Sequence, residues 1–186
     1  ADPSINHGLG AVIYGGAFRL RVWNWHIAQA ATGSRQARDP AVKSVLKQQA
    51  DDRRHYLLNL PLRRGTTPLK VASEYEDMLL RMMDHRRNDE FWRFNNIIEY
   101  AGEHKDIPVF LIGGWYDLFS SSTTETYMAL KKAIRGPVHL IMGPWIHGMQ
   151  GRSHGQVDFG PDAVVDMTPI RRAWYDRWLK GVTAEF

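Results

Sequence analysis

Two short apolar runs, "IPVFLIGG" at 107–114 and "PVHLIMG" at 137–143, constrain this chain more than any other feature. Each holds β-branched and large aliphatic residues, is too short for a typical helix, and ends in glycine, so each reads as a buried strand. The stretch between them, "SSSTTETYMALKKAIRG", reads as a helix. A Ser or Thr supplies its N-cap, Glu125 lies in its first turn, and Lys131, Lys132 and Arg135 lie near its end before Gly136. Strand, helix, strand requires a parallel pair with a right-handed crossover. A last helix is expected with Thr168 as N-cap, Pro169 in the first turn, Trp174 and Trp178 four apart, and Gly181 as terminator. The fold class is therefore α/β. All-parallel strands need cover on both faces and further neighbours, so this sheet is expected to be completed by residues outside this chain.

The first half has a different texture. Residues 1–15 read as a strand remnant and loop, broken by "HGLG" and "YGG". From about 16 to 100 the pattern is helical. Phe18, Val22 and Trp25 suggest a first helix, and Pro40 starts a second through Val42, Val45 and Leu46. Tyr75, Met78, Leu79, Met82 and Met83 fall at i, i+3, i+4, i+7 and i+8, an amphipathic stripe that reads as core. "NLPLRRGTTP" is a loop between them.

Composition removes several function classes. With 186 residues and 44% hydrophobic content the chain can bury a real core, and with no cysteine it has neither disulfides nor thiolate metal sites. The longest apolar stretch, "IPVFLIGGWY", falls well short of the roughly 20 residues that span a bilayer, so no membrane is expected as partner. Residues 35–93 carry 13 Lys/Arg against 9 Asp/Glu and the remainder 11 of each, so the net charge of +4 sits in that segment. A solvated helical surface accounts for it, and no aromatic-interleaved basic motif of a nucleic-acid reader is present. The eight histidines show no HExxH or comparable ligand spacing, so neither a metal nor another cofactor is expected. Nothing indicates a compartment.

The candidate chemistry sits at two strand ends. The first run leads into "GGWYDLF", which puts Asp117 in the turn before a helix, and the second into "GPWIHG", which puts His147 in a loop. In a parallel sheet both C-terminal ends share one edge, so an acid and an imidazole 30 residues apart can meet there. A carboxylate that accepts from Nδ1–H fixes the imidazole tautomer and leaves Nε2 to act as base. The order Asp before His is that of α/β-hydrolases, whose serine precedes both.

Taken together, "IPVFLIGGWYDLF", "GPWIHG" and "WYDRWLKG" resemble the serine hydrolases that group X-Pro dipeptidyl-peptidases, cocaine-esterase-like enzymes and α-amino-acid ester hydrolases. The resemblance runs through 107–181, including "DFG" at 158–160, and less specifically through "YGGAF" at 14–18 and "NDEFWRFNN" at 88–96. It implies a partial α/β-hydrolase fold: 1–15 a strand remnant and loop, 16–105 a helical cap, 106–186 the C-terminal part of the hydrolase core. It implies Asp117 as triad acid and His147 as general base, acting on a small-molecule ester or peptide. Trp115, Tyr116 and Trp145 would then form the floor of the site or pack beside it. Phe18, Trp23 and Trp25 become candidates for an acyl or side-chain pocket.

The family's nucleophile sits on a Gly-x-Ser-Tyr-x-Gly elbow that the resemblance places ahead of this chain, so these residues are expected to lack it. "GRSHG" at 151–155 fits G-x-S-x-G by letter, but an elbow needs a strand before it and a helix after it, and Ser153 has neither. Ser120, Ser121 and Ser122 read as helix-capping residues. Two other readings compete: a non-catalytic helical interaction module using the basic 35–93 surface, and an α/β-hydrolase with an aspartate nucleophile.

Overall fold

The structure, a computed structural model, describes residues 12–14, 17–52, 60–87, 89–93 and 96–183. All of "HGLG", both glycines of "YGG", and residues 88, 94 and 95 of "NDEFWRFNN" lie outside the described residues. Between Asn95 and Asn96 the chain divides into two compact units.

The first unit opens with a small antiparallel pair, β1 (Ile13–Tyr14) and β2 (Ala17–Phe18), in which Ile13 faces Phe18. Helices α1 (Leu20–Gly33), α2 (Pro40–Asp51), α3 (Ser73–Asp84) and the short α4 (Glu90–Arg93) follow. Asp39 caps α2 by accepting from Ala41 N at 2.8 Å, and Pro40 occupies the first position, where its missing N–H costs nothing. The core joins Trp23, Ile27, Ala30 and Ala31 of α1 to Leu46 of α2 and Leu79 of α3, with Leu62, Leu69 and Ala72 between them. Each fully buried leucine or isoleucine contributes about 1.5–3 kcal/mol of transfer free energy. The α1 face differs from the expected one. Phe18 is in β2, outside the helix, and the buried stripe is Trp23, Ile27 and Ala30, leaving Trp25 exposed.

The second unit carries the strand–helix–strand segment. Strands β3 (Val109–Gly114) and β4 (Val138–Gly143) are parallel and in register from Val109↔Val138 to Gly114↔Gly143. Helix α5 (Ser120–Ala133) connects them, and α6 (Met167–Lys180) follows. On one face, Leu130 of α5 packs with Val138, Val109 and Ala101. On the other, the Trp174 ring of α6 lies 5.4 Å from the rings of both Phe110 and His139, which are register partners. Among the described residues no further strand pairs with β3 or β4, and their side chains are mostly half-buried rather than fully buried as expected.

Both helix starts differ from the sequence expectation. The N-cap position of α5 is Phe119, with no side-chain cap, and Ser122 donates its hydroxyl back to Phe119 O at 2.9 Å. The serines therefore do not cap α5, and no acidic residue lies in its first turn, so Glu125 sits deeper in the helix. Helix α6 begins at Met167, capped by Asp166, whose carboxylate accepts from Thr168 N at 2.8 Å. Its other end is as expected: Gly181 adopts φ 71°, the left-handed conformation of a helix terminator. Beyond β4, "GRSHGQVD" forms an antiparallel hairpin of β5 (Ser153–His154) and β6 (Val157–Asp158), closed by a two-point Arg152–Asp158 ion pair at 2.7 and 2.6 Å. Ser153 leads directly into the hairpin turn and β6 rather than into a helix, so the geometry of a nucleophile elbow is absent there.

Candidate active site

The parallel register brings the ends of β3 and β4 to the same edge, and Trp145 joins the two loops that leave it. Trp115 N donates to Gly143 O at 2.9 Å, and Tyr116 N donates to Trp145 O at 3.0 Å. The indole of Trp145 is 3% exposed and donates Nε1–H to Ala163 O at 2.7 Å. Gly114 and Gly143 lie so close to Trp145 that a Cβ on either would run into it, the first into its backbone and the second into its ring. The glycines that end the two strands are thus dictated by the space that tryptophan fills.

Asp117 sits in the turn from β3 to α5 and both its carboxylate oxygens are engaged. Oδ1 accepts from Phe119 N at 2.9 Å, which fixes the side chain as an Asx turn. Oδ2 lies 3.1 Å from His147 Nδ1. The acid side chain is 13% exposed and the imidazole 52%. His147 occupies a tight turn in which Met149 N donates to Ile146 O at 3.3 Å, and Gly148 takes φ 74°. That conformation suits glycine, which explains the residue that follows the histidine. The Phe119 ring meets the imidazole edge-on at 5.2 Å.

Asp117 and His147 border a pocket of about 260 Å³ with Ile112, Gly113, Phe119, Thr123 and Gly148. Chemically, a carboxylate that holds Nδ1–H leaves Nε2 with a lone pair able to take a proton from a hydroxyl within hydrogen-bond reach. No serine lines this pocket among the described residues. Nor do those residues contain a group of three or more His, Cys, Asp or Glu able to hold a metal ion, or a helix long and apolar enough to cross a membrane.

Of the other sequence candidates, Trp145 packs beneath the loops, while Trp115 and Tyr116 are 59% and 55% exposed and none of the three lines the pocket. Trp23 is in the core of the first unit, Phe18 packs against that core, and Trp25 is exposed. Phe119 and Thr123 went unmarked in the sequence. Their signal was positional: Phe119 is two residues beyond Asp117 in the same turn, and Thr123 lies one helical turn further.

Comparisons with known proteins bear on the family of this chain. Cocaine esterase from Rhodococcus sp. (strain MB1 Bresler) is 30% identical over 106 residues, which make up 55% of this chain and 18% of the esterase. The chain therefore matches less than a fifth of that relative's length. A family model described as X-Pro dipeptidyl-peptidase (S15 family) matches residues 5–149, most of the 186. On that match, together with the esterase relative, this chain belongs to the X-Pro dipeptidyl-peptidase (S15) family.

Proposed function

We propose that this chain supplies the acid and the base of a serine hydrolase acting on an ester or an X-Pro peptide bond. Asp117 accepts from His147 Nδ1–H and orients the ring. His147 Nε2 takes the proton of a serine Oγ as that oxygen attacks the substrate carbonyl carbon. It delivers the proton to the departing alcohol or amine, leaving an acyl-serine. Water then attacks the acyl carbon, gives its proton to His147, and the acid is released with serine restored. The serine belongs to a segment outside these 186 residues, as do further strands beside β3 and β4. Residues 16–105 act as the helical cap; of its aromatic candidates the exposed Trp25 is the one available to substrate, since Trp23 is buried in the core and Phe18 packs against it. No cofactor takes part.

The observation that carries this reading is the 3.1 Å contact between a largely buried carboxylate and a half-exposed imidazole at the end of a parallel strand pair. The half-buried apolar side chains of β3 and β4 support a sheet that continues elsewhere. To test it, this chain replaces the matching segment of the Rhodococcus esterase, and the hybrid is assayed with an activated ester. Turnover is expected, with kcat reduced by about 10³-fold or more in His147→Ala. A folded hybrid that hydrolyses equally well with His147→Ala or Asp117→Ala refutes the assignment. Burst kinetics from the chain alone, abolished by Ser153→Ala, would refute the placement of the serine.

A further inference from the structure

We propose, on the hydrolase reading of the acid–base pair, that Phe159 of "DFG" is a positioning residue for that pair and acts on Asp117 through Tyr116. Asp158 sets the Phe159 ring in place. Its carboxylate takes the two-point ion pair from Arg152 across the hairpin, and Oδ1 also accepts from Gly160 N at 2.9 Å. Phe159 N donates to Arg152 O at 3.0 Å, so the backbone is held at the ring and on both sides of it. From there the ring lies 5.2 Å from that of Tyr116, with the planes tilted by 48°, and 6.2 Å from the His154 imidazole of the hairpin.

The same segment reaches Tyr116 by a second route. Beyond Gly160, a short turn in which Ala163 N donates to Gly160 O at 3.3 Å sets Ala163 O against the Trp145 indole, and Trp145 O accepts from Tyr116 N. Residues 158–163 thus hold Tyr116 at its backbone, through Trp145, and at its ring, through Phe159. The two holds differ in what they fix. The backbone bond sets where the Asp117 turn begins, whereas the ring contact restrains its rotation. Tyr116 is 55% exposed, so a single ring contact is enough to bias how its side chain stands and how the chain leads into Asp117. Asp117 registers such a rotation unevenly. Its 2.9 Å bond to Phe119 N lies within the turn and moves with it, but the 3.1 Å contact with His147 Nδ1 spans to another loop and lengthens first.

The test is ring-nitrogen NMR of the whole chain at alkaline pH, reading the ratio of Nδ1–H to Nε2–H tautomer at His147, because a carboxylate at Nδ1 favours the former. Phe159→Ala is expected to lower that ratio about 3- to 10-fold, the range of one aromatic pair, with the Trp145 indole N–H signal unmoved. Phe159→Tyr, which keeps the ring, is expected to restore it. Tyr116→Ala is expected to lower the ratio by a similar factor, and the double variant no further, as a single route requires. An unchanged ratio in Phe159→Ala, no recovery in Phe159→Tyr, additive losses in the double variant, or a Trp145 signal that moves together with the ratio overturns the proposal and leaves the pair standing. A ratio that Asp117→Ala fails to change overturns the pair itself, and this inference with it.

Discussion

Replacing Trp145 by phenylalanine tests whether one side chain sets the geometry of the whole edge. The indole is 3% exposed and its Nε1–H is the donor to Ala163 O. Phenylalanine removes that donor and leaves a carbonyl at a buried contact, worth about 1–3 kcal/mol. The smaller ring leaves a void beside Gly143, which adds about 1 kcal/mol. The sum is a loss of about 2–4 kcal/mol, read as a lower urea midpoint at unchanged slope by far-ultraviolet circular dichroism. Trp115→Phe is the control: Trp115 is 59% exposed, and its replacement is expected to stay within about 0.5 kcal/mol. The same preparation reports on the site, because Trp145 O holds Tyr116 N and so the turn bearing Asp117. His147 ring resonances are expected to shift in Trp145→Phe and not in Trp115→Phe. If the two substitutions prove equally mild in both readouts, the reasoning is refuted.

Two further outcomes follow from the first unit. Glu76 is buried in α3 and accepts from Thr67 Oγ1 at 2.6 Å and Gly65 N at 3.0 Å, so Glu76→Ala orphans two donors and is expected to cost about 2–4 kcal/mol in chemical denaturation, with Glu76→Gln milder. His26 is buried on α1, and burial holds its imidazole below the ordinary histidine range. Because the unfolded chain binds that proton more readily, its contribution to stability is present above about pH 6.5 and is lost as pH falls below it; His26→Gln is expected to flatten the stability–pH curve between about pH 7 and pH 5.

The strand–helix–strand core was legible because apolar runs of strand length, split by a capped helical pattern, admit few arrangements. The parallel register then placed Asp117 and His147 on one edge, and the structure brings them to 3.1 Å. The details that escaped were those set by competing partners. The three serines at 120–122 look like caps, yet the helix already begins at Ser120, so the cap position falls on Phe119 and Ser122 turns back to Phe119 O. "DMTP" holds two capping candidates, and Asp166 takes the role over Thr168. "WNW" offers two tryptophans to one helix face, and the small Ala30 and Ala31 decide for Trp23, since they lie on its side and join the same core. Glu76 lies off the apolar stripe of α3, yet it is buried, with Thr67 and Gly65 of the preceding loop as its donors. Such choices depend on tertiary neighbours that no local window contains.

The glycines at 114 and 143 carry a consequence for how relatives of this chain vary. Neither is among the glycines with a positive φ, so backbone conformation does not demand glycine at either position. Gly143 yields its side-chain space to the indole at 145, and the two positions share one volume. Across related sequences, bulk at 143 and bulk at 145 should therefore be anticorrelated: a methyl group at 143 is tolerated only where the ring at 145 has shrunk. A pair of positions that trade volume in this way leaves a signature in sequence variation that neither shows alone.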